Sequence, residues 1–415
     1  MKKVDIIVTD SSFLLTMKGP ERSRAGDEMT DNGAIPGGAV AIEKGVVVET
    51  GPTKHIIDKY KAKRYVDAWD KLVMPGFVDP HTHLVFAGSR EVEMEMRSAG
   101  ASYLDILKLG GGIHSTVKAT REISQKELLS IAKKRIRLVE QHGTTTIEVK
   151  SGYGLDPETE EKMLKVIAQL DKKSPLDVVP TFLGAHTIPK DTDRDAYIAW
   201  LIEEAPARFK GKAEFWDVFC EDGAFTTEES EKILKSAKEA GYKLKIHAGQ
   251  FNDLRAAGMS ALLGSVSADH LDKVSDKQLK MMKENGTIAI LLPGVPFYLN
   301  SDNYPDVKRF SDIGVPVALA TDFNPGSCPS FSMQMMICLA CHKMGMNASE
   351  AITASTINAA YAIDRGKTVG SIEPGKQADI IILDVETASQ IPYFFGTNLV
   401  RIVIKKGKVI WDRGN

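Results

Sequence analysis

Cysteine is nearly missing from this chain. Four occur in 415 residues, too few for a disulfide-stapled scaffold and in keeping with a reducing compartment. An excess of one charge is missing too: 53 Lys and Arg face 55 Asp and Glu, for a net charge of -2. Nothing basic therefore marks a nucleic-acid or anionic membrane partner. No stretch approaches the roughly 20 continuous apolar residues of a membrane span. The opening run Met1-Lys2-Lys3-Val4-Asp5-Ile6-Ile7-Val8-Thr9-Asp10 is broken by acids too early for a secretory signal. These absences leave the expectation of a cytoplasmic enzyme with neither nucleic acid nor membrane as partner. The length favours one large domain plus a smaller one.

Two of the cysteines fall in Cys338-Leu339-Ala340-Cys341-His342, the spacing of covalent haem attachment. That chemistry belongs to exported proteins, and residues 331–345 read as a continuous, Met-rich apolar helix. A buried helix is the expectation.

Both ends of the chain read as short strands with turns: 4–8, 13–17, 39–43 and 46–50, then 378–384, 399–405 and 409–411. The middle alternates apolar strands with helical patterns, the mark of βα units and a parallel sheet. Eight candidate strands occur at 72–79, 145–149, 177–183, 215–219, 243–246, 266–268, 287–291 and 315–320. The expected architecture is α/β: a (β/α)8 TIM barrel over 71–365, with a small β-sandwich-like domain built from 1–70 and 366–415.

Barrel chemistry collects where the strands end at their C-terminal rim. Reactive residues stand at those ends: His81 and His83, Lys150 and Tyr153, His186, Cys220 and Glu221, His247, Asp269 and His270, and Thr321-Asp322. His81-Thr82-His83 projects two imidazoles to one side, since strand side chains alternate with a period of two. Three imidazoles and a carboxylate make a catalytic metal set with room for water. His81, His83, His247 and Asp322 are the expected ligands of one metal ion per subunit, zinc or iron, which share these ligand preferences. Taken singly, His247 could be a core histidine and Asp322 a helix N-cap.

The lead-in Val73-Met74-Pro75-Gly76-Phe77-Val78-Asp79-Pro80 before the His pair resembles the first-strand signature of the amidohydrolase superfamily, metal-dependent hydrolases on a (β/α)8 barrel. The resemblance implies that Asp322 also takes the proton of the attacking water, and that His270 lies near the substrate carbonyl. Binuclear members have a carbamylated Lys, often after strand four. Here Phe219-Cys220-Glu221 stands in that place, which implies a single metal, with Lys150 a structural cation.

Longer strings narrow the likeness. Thr144-Thr145-Thr146-Ile147-Glu148-Val149-Lys150-Ser151-Gly152-Tyr153-Gly154-Leu155, Pro180-Thr181-Phe182-Leu183-Gly184-Ala185-His186, Asp217-Val218-Phe219-Cys220-Glu221 and Thr321-Asp322-Phe323-Asn324-Pro325-Gly326-Ser327 resemble the imidazolonepropionases of histidine degradation. That resemblance implies hydrolysis of 4-imidazolone-5-propanoate to N-formimidoyl-L-glutamate by a homodimer. Arg90 matches the family's substrate arginine, whose fork suits the propanoate; on position alone it could be a surface partner of Glu91 or Glu93. Tyr153, His186, Asn324, Gly326 and Ser327 match substrate-contacting positions, although Tyr153 could simply pack in its loop. Related ring deaminases carry His-x-x-Glu after strand five, whereas this chain has His247-Ala248-Gly249-Gln250. Gln250 carries no proton at neutral pH, so it is expected as a hydrogen-bonding residue at the ring, and the deaminase reading loses its acid–base group. A non-catalytic relative on the same fold would be expected to lose metal ligands, and here all four are present. The loop at 99–116, with Gly110-Gly111-Gly112, is the candidate cover over the substrate.

Overall fold

The computed structural model describes residues 1–100, 111–190 and 192–414. The candidate covering loop falls largely on 101–110, outside the described residues.

Eight parallel strands form one sheet in chain order: Phe77–Asp79, Thr144–Lys150, Asp177–Ala185, Phe215–Cys220, a fifth broken into Lys243–Leu244 and His247–Ala248, then Ser267–His270, Ile288–Leu291 and Val317–Leu319. Helices return the chain between successive strands, as parallel pairing requires. Pro157–Lys173 shows why they form where they do. The Asp156 side chain accepts from Thr159 N, Pro157 opens the first turn, and Met163, Ile167 and Leu170 recur at helical spacing on the buried face.

The first and eighth strands meet just past their ends. Asp322 N donates to His81 O at 3.0 Å, and His83 N donates to Phe323 O at 2.9 Å. Below these bonds, the Asp79 carboxylate accepts from Thr321 N at 3.1 Å and from Thr321 Oγ1 at 2.6 Å. The barrel is thus closed by the segments that carry three of the four expected metal ligands.

One expected strand is corrected. Residues 72–79 are two strands, divided at Gly76. Leu72–Pro75 pairs with Ile380–Leu383 and Phe13–Leu15 of a terminal sheet, and only Phe77–Asp79 enters the barrel. Glycine is needed at the break because a Cβ there would lie 2.3 Å from the Thr145 side chain. An apolar run is uniform in sequence and does not reveal which sheet each half joins.

The termini build two further sheets. One has the order Val46–Pro52, Gly38–Glu43, Lys2–Thr9, Tyr60–Asp67; the other runs Lys408–Asp412, Val400–Lys405, Ile380–Leu383, Leu72–Pro75, Phe13–Leu15, Ala34–Pro36. Ile6, Val8, Val40 and Ile42 from the first share a buried cluster with Leu14, Val73, Ile380, Ile382 and Ile404 from the second. Ile7 faces the other way, into a cluster with Ile56 and Tyr60. Strand alternation therefore buries both faces of Lys2–Thr9. The helix Met333–Lys343 contains Cys338, which is buried, as the apolar reading of that segment expected. Among the described residues no helix is long and apolar enough to cross a membrane.

Candidate metal centre and substrate pocket

The rim of the barrel brings His81, His83, His247 and Asp322 together, all nearly sealed from solvent. One ligand atom from each of the three histidines lies within 4.8 Å of the others. Asp322 Oδ1 stands 3.4 Å from His81 Nε2 and 3.3 Å from His83 Nε2, while His247 Nε2 and His83 Nε2 are 3.5 Å apart. Asp322 reaches this point with φ 52, an uncommon conformation for a residue with a side chain.

Two carboxylates behind the histidines fix their tautomers. His81 Nδ1–H donates to Asp269 Oδ2 at 2.6 Å, and His247 Nδ1–H donates to Asp217 Oδ1 at 3.1 Å. Their Nε2 atoms consequently present lone pairs to the centre. His81 Nε2 and Asp322 Oδ1 are buried with no hydrogen-bond partner, and the only partner of His247 Nε2 among the described residues is His83 Nε2, 3.5 Å away. Leaving such groups unmet is costly in a dry interior. A cation satisfies them all at once, and the donor set fits one divalent ion of the zinc or iron type.

Charge in the layer beneath supports the same fit. Lys150 Nζ lies 2.7 Å from both Glu148 Oε1 and Asp217 Oδ2, and Lys245 Nζ lies 3.7 Å from Asp269 Oδ2. With Asp322, four carboxylates face two ammonium groups, all buried; a dication restores the balance. Lys150 is therefore a structural cation, held charged against the cost of burial by Asp217, Glu148 and Asp269. Burial, followed by repulsion from Lys150, lowers His83 to about 3. Burial likewise lowers His247 to about 4 and His270 to about 3. Burial lowers His81 as well, so the three ligand imidazoles are neutral at pH 7, the state a ligand requires, and His270 is neutral beside them.

The remaining expected residues surround this cluster. The His270 ring lies 5.7 Å from that of His81 and 5.3 Å from that of His247, on backbone with φ 77. His186 stacks on His83 at 5.0 Å, and Tyr153 sits 5.8 Å from His83 and 5.3 Å from His186. Asn324 organises the loop after the eighth strand: its Nδ2 donates to Asp322 O at 2.6 Å and its Oδ1 accepts from Gly326 N and Ser327 N, each at 2.8 Å. Ser327 Oγ lies 3.4 Å from Asp322 Oδ2. Arg90 is no surface residue; its guanidinium reaches under this loop beside Gly326. Gln250 stands three residues beyond His247, half-buried, and no hydrogen bond joins its side chain to the histidines.

The sequence marks Asp269 and Glu221 as polar residues at strand ends, but it does not reveal what any of the struts hold. Asp217 and Asp269 interrupt apolar strands, and that interruption was the available signal. Glu160 accepts from Gly152 N at 3.0 Å, Gly154 N at 2.8 Å and Leu155 N at 2.9 Å, shaping the turn that carries Tyr153. Glu221 accepts from Phe251 N at 2.9 Å and from Asn252 Nδ2 at 3.0 Å, bracing the loop that carries Gln250. Within its helix, Glu160 is indistinguishable in sequence from a solvated glutamate.

The profile of the amidohydrolase family matches residues 72–410. An imidazolonepropionase of Symbiobacterium thermophilum is 44% identical over 422 residues, covering 100% of this chain and 99% of the relative. One from Caldanaerobacter subterraneus subsp. tengcongensis is 45% identical, covering 97% of each. Among solved structures, an adenosine deaminase from Xanthomonas campestris with bound zinc superposes with a TM-score of 0.74 at 18% identity, covering 98% of this chain and 93% of that one; at that identity the likeness concerns the fold. The chain belongs to the imidazolonepropionase family of the amidohydrolases.

Proposed function

We propose that this chain hydrolyses the ring C–N amide bond of 4-imidazolone-5-propanoate, giving N-formimidoyl-L-glutamate in the degradation of histidine to glutamate. One observation carries the reading: three imidazoles converge with the Asp322 carboxylate on a buried point where His81 Nε2 and Asp322 Oδ1 have no hydrogen-bond partner. His81, His83, His247 and Asp322 would hold zinc or iron, which would supply Lewis acidity for activating water and polarising the ring carbonyl.

The chain's own groups do the rest. Asp322 accepts one proton of the attacking water and passes it to the departing ring nitrogen as the C–N bond breaks; the carbonyl carbon becomes a carboxylic acid, which ionises to the carboxylate by losing its remaining proton to solvent. Burial raises the Asp322 pKa, which improves it as a base. His270 is neutral and keeps one N–H, a donor for the oxyanion that develops at the carbonyl. Arg90 binds the propanoate by charge-assisted hydrogen bonds. Tyr153 and His186 wall the ring, and Gln250 hydrogen-bonds it. Asn324, Gly326 and Ser327 form the facing loop. A deaminase is disfavoured because Gln250 stands where the proton-shuttling glutamate would be.

The same proposal includes a cytoplasmic homodimer, a reading supported by the sparse cysteines and by the family resemblance. Sedimentation of purified protein tests the dimer, and metal analysis of protein grown on each metal distinguishes zinc from iron. Mass spectrometry of the product from freshly generated imidazolone propanoate tests the reaction: formimidoylglutamate supports it, and released ammonia supports deamination.

A further inference from the structure

Arg90 does not stand alone at the substrate loop. Its Nε donates to Glu93 Oε1 at 2.9 Å and its Nη2 to Glu93 Oε2 at 2.8 Å, a two-pronged grip on one edge of the guanidinium. Glu93 is itself pinned. It is 6% exposed, in the first turn of the helix Glu91–Ser98, where helix N–H groups favour a carboxylate. Its Oε1 also accepts from Gly112 N at 2.8 Å, and Arg97 Nη1 lies 3.9 Å from Oε2.

Across the guanidinium lies Gly326. A Cβ there would fall 2.2 Å from Arg90 Nη1 and 2.9 Å from Nη2. The Gly326 backbone is not in the left-handed region, so glycine is required for room, not for conformation. Asn324 holds Gly326 N at 2.8 Å, so the loop cannot easily yield.

We propose that Glu93 is the positioning residue for substrate carboxylate recognition: it occupies the Nε–Nη2 edge of Arg90, leaving the Nη1–Nη2 edge, with the clearance Gly326 provides, as the fork open to the propanoate. This rests on the reading of Arg90 as the carboxylate anchor. An arginine free to rotate would offer either edge; one clamped on a buried glutamate offers a single direction, and the substrate's acid must arrive along it. Burial alone would raise the Glu93 pKa, but the bonds from Arg90 and Gly112 hold it below the ordinary value, so the clamp stays charged at neutral pH.

The test compares kcat/KM for imidazolone propanoate with that for its neutral propanamide analogue, in wild type, Arg90→Gln, Glu93→Gln and Gly326→Ala. Preference for the acid is a ratio within one preparation, so a partly unfolded variant does not distort it. Arg90→Gln, Glu93→Gln and Gly326→Ala should each lower the preference at least about tenfold, with the Glu93→Gln loss carried by KM for the acid and not by kcat. If Arg90→Gln loses the preference while Glu93→Gln and Gly326→Ala keep it, the positioning role is overturned and the anchor reading survives. If Arg90→Gln also keeps it, the anchor reading fails and takes the proposal with it. Equal loss on both substrates in Glu93→Gln marks a structural role and overturns the proposal as well.

Discussion

His81 Nδ1 stands 2.6 Å from Asp269 Oδ2, with both side chains fully buried. The carboxylate fixes the ring's orientation and tautomer and raises the basicity of the nitrogen that faces the ion. Asp269→Asn should weaken metal affinity about 10- to 100-fold, and Asp217→Asn should act likewise through His247. Chelator competition on metal-loaded protein measures both. Unchanged affinity would show that the ligands need no such support.

Asp322 carries the proton in this account. Asp322→Asn keeps the shape of the side chain but removes the base, so kcat should fall about 10²- to 10⁴-fold in protein whose metal content is restored. Turnover is compared per bound metal ion, since Asp322 is also a ligand. A normal rate would move the base elsewhere in the site.

The buried histidines make metal-free protein acid-sensitive. Burial lowers His83 and His270 to about 3 and His247 to about 4, so the fold holds them neutral where the unfolded chain would protonate them. The sign follows: unfolding takes up protons below the unfolded pKa of about 6.5, so stability is full above it and is lost as pH falls toward the folded values. The loss is about 1.4 kcal/mol per pH unit for each such histidine. Denaturant titrations of metal-free protein between pH 7 and pH 5 should show this slope. A flat profile would mean the imidazoles titrate in the fold as they do in the unfolded chain.

Lys150 holds two buried carboxylates at 2.7 Å. Lys150→Met leaves Glu148 and Asp217 uncompensated in a dry interior, at a cost of about 3–5 kcal/mol. Equilibrium unfolding gives the number. A loss below about 1 kcal/mol would mean water reaches the network.

The metal ligands were legible because their signals are local. A His-x-His at a strand end and single residues after apolar strands stand in fixed relation to the barrel rim. The supporting groups were not. Asp269 reaches His81 across 188 residues, and Glu160 grips a turn from within a helix. Nothing near either residue encodes those contacts. The terminal sandwich was visible as strands but not as pairings, and the run over 72–79 could not show that Gly76 hands it from one sheet to another. Arg90 was open to a reading as a surface ion pair with Glu91 or Glu93; its partner is Glu93, which is buried, while Arg90 is only partly exposed.

The central claim is metal-dependent ring opening at the rim of this barrel. The most direct measurement follows loss of imidazolone propanoate absorbance by metal-replete protein, with the product weighed by mass spectrometry. The account predicts formimidoylglutamate, with activity abolished by chelation and restored by zinc or iron. Folded, metal-loaded protein that leaves the substrate intact, or full activity after complete metal removal, would contradict it.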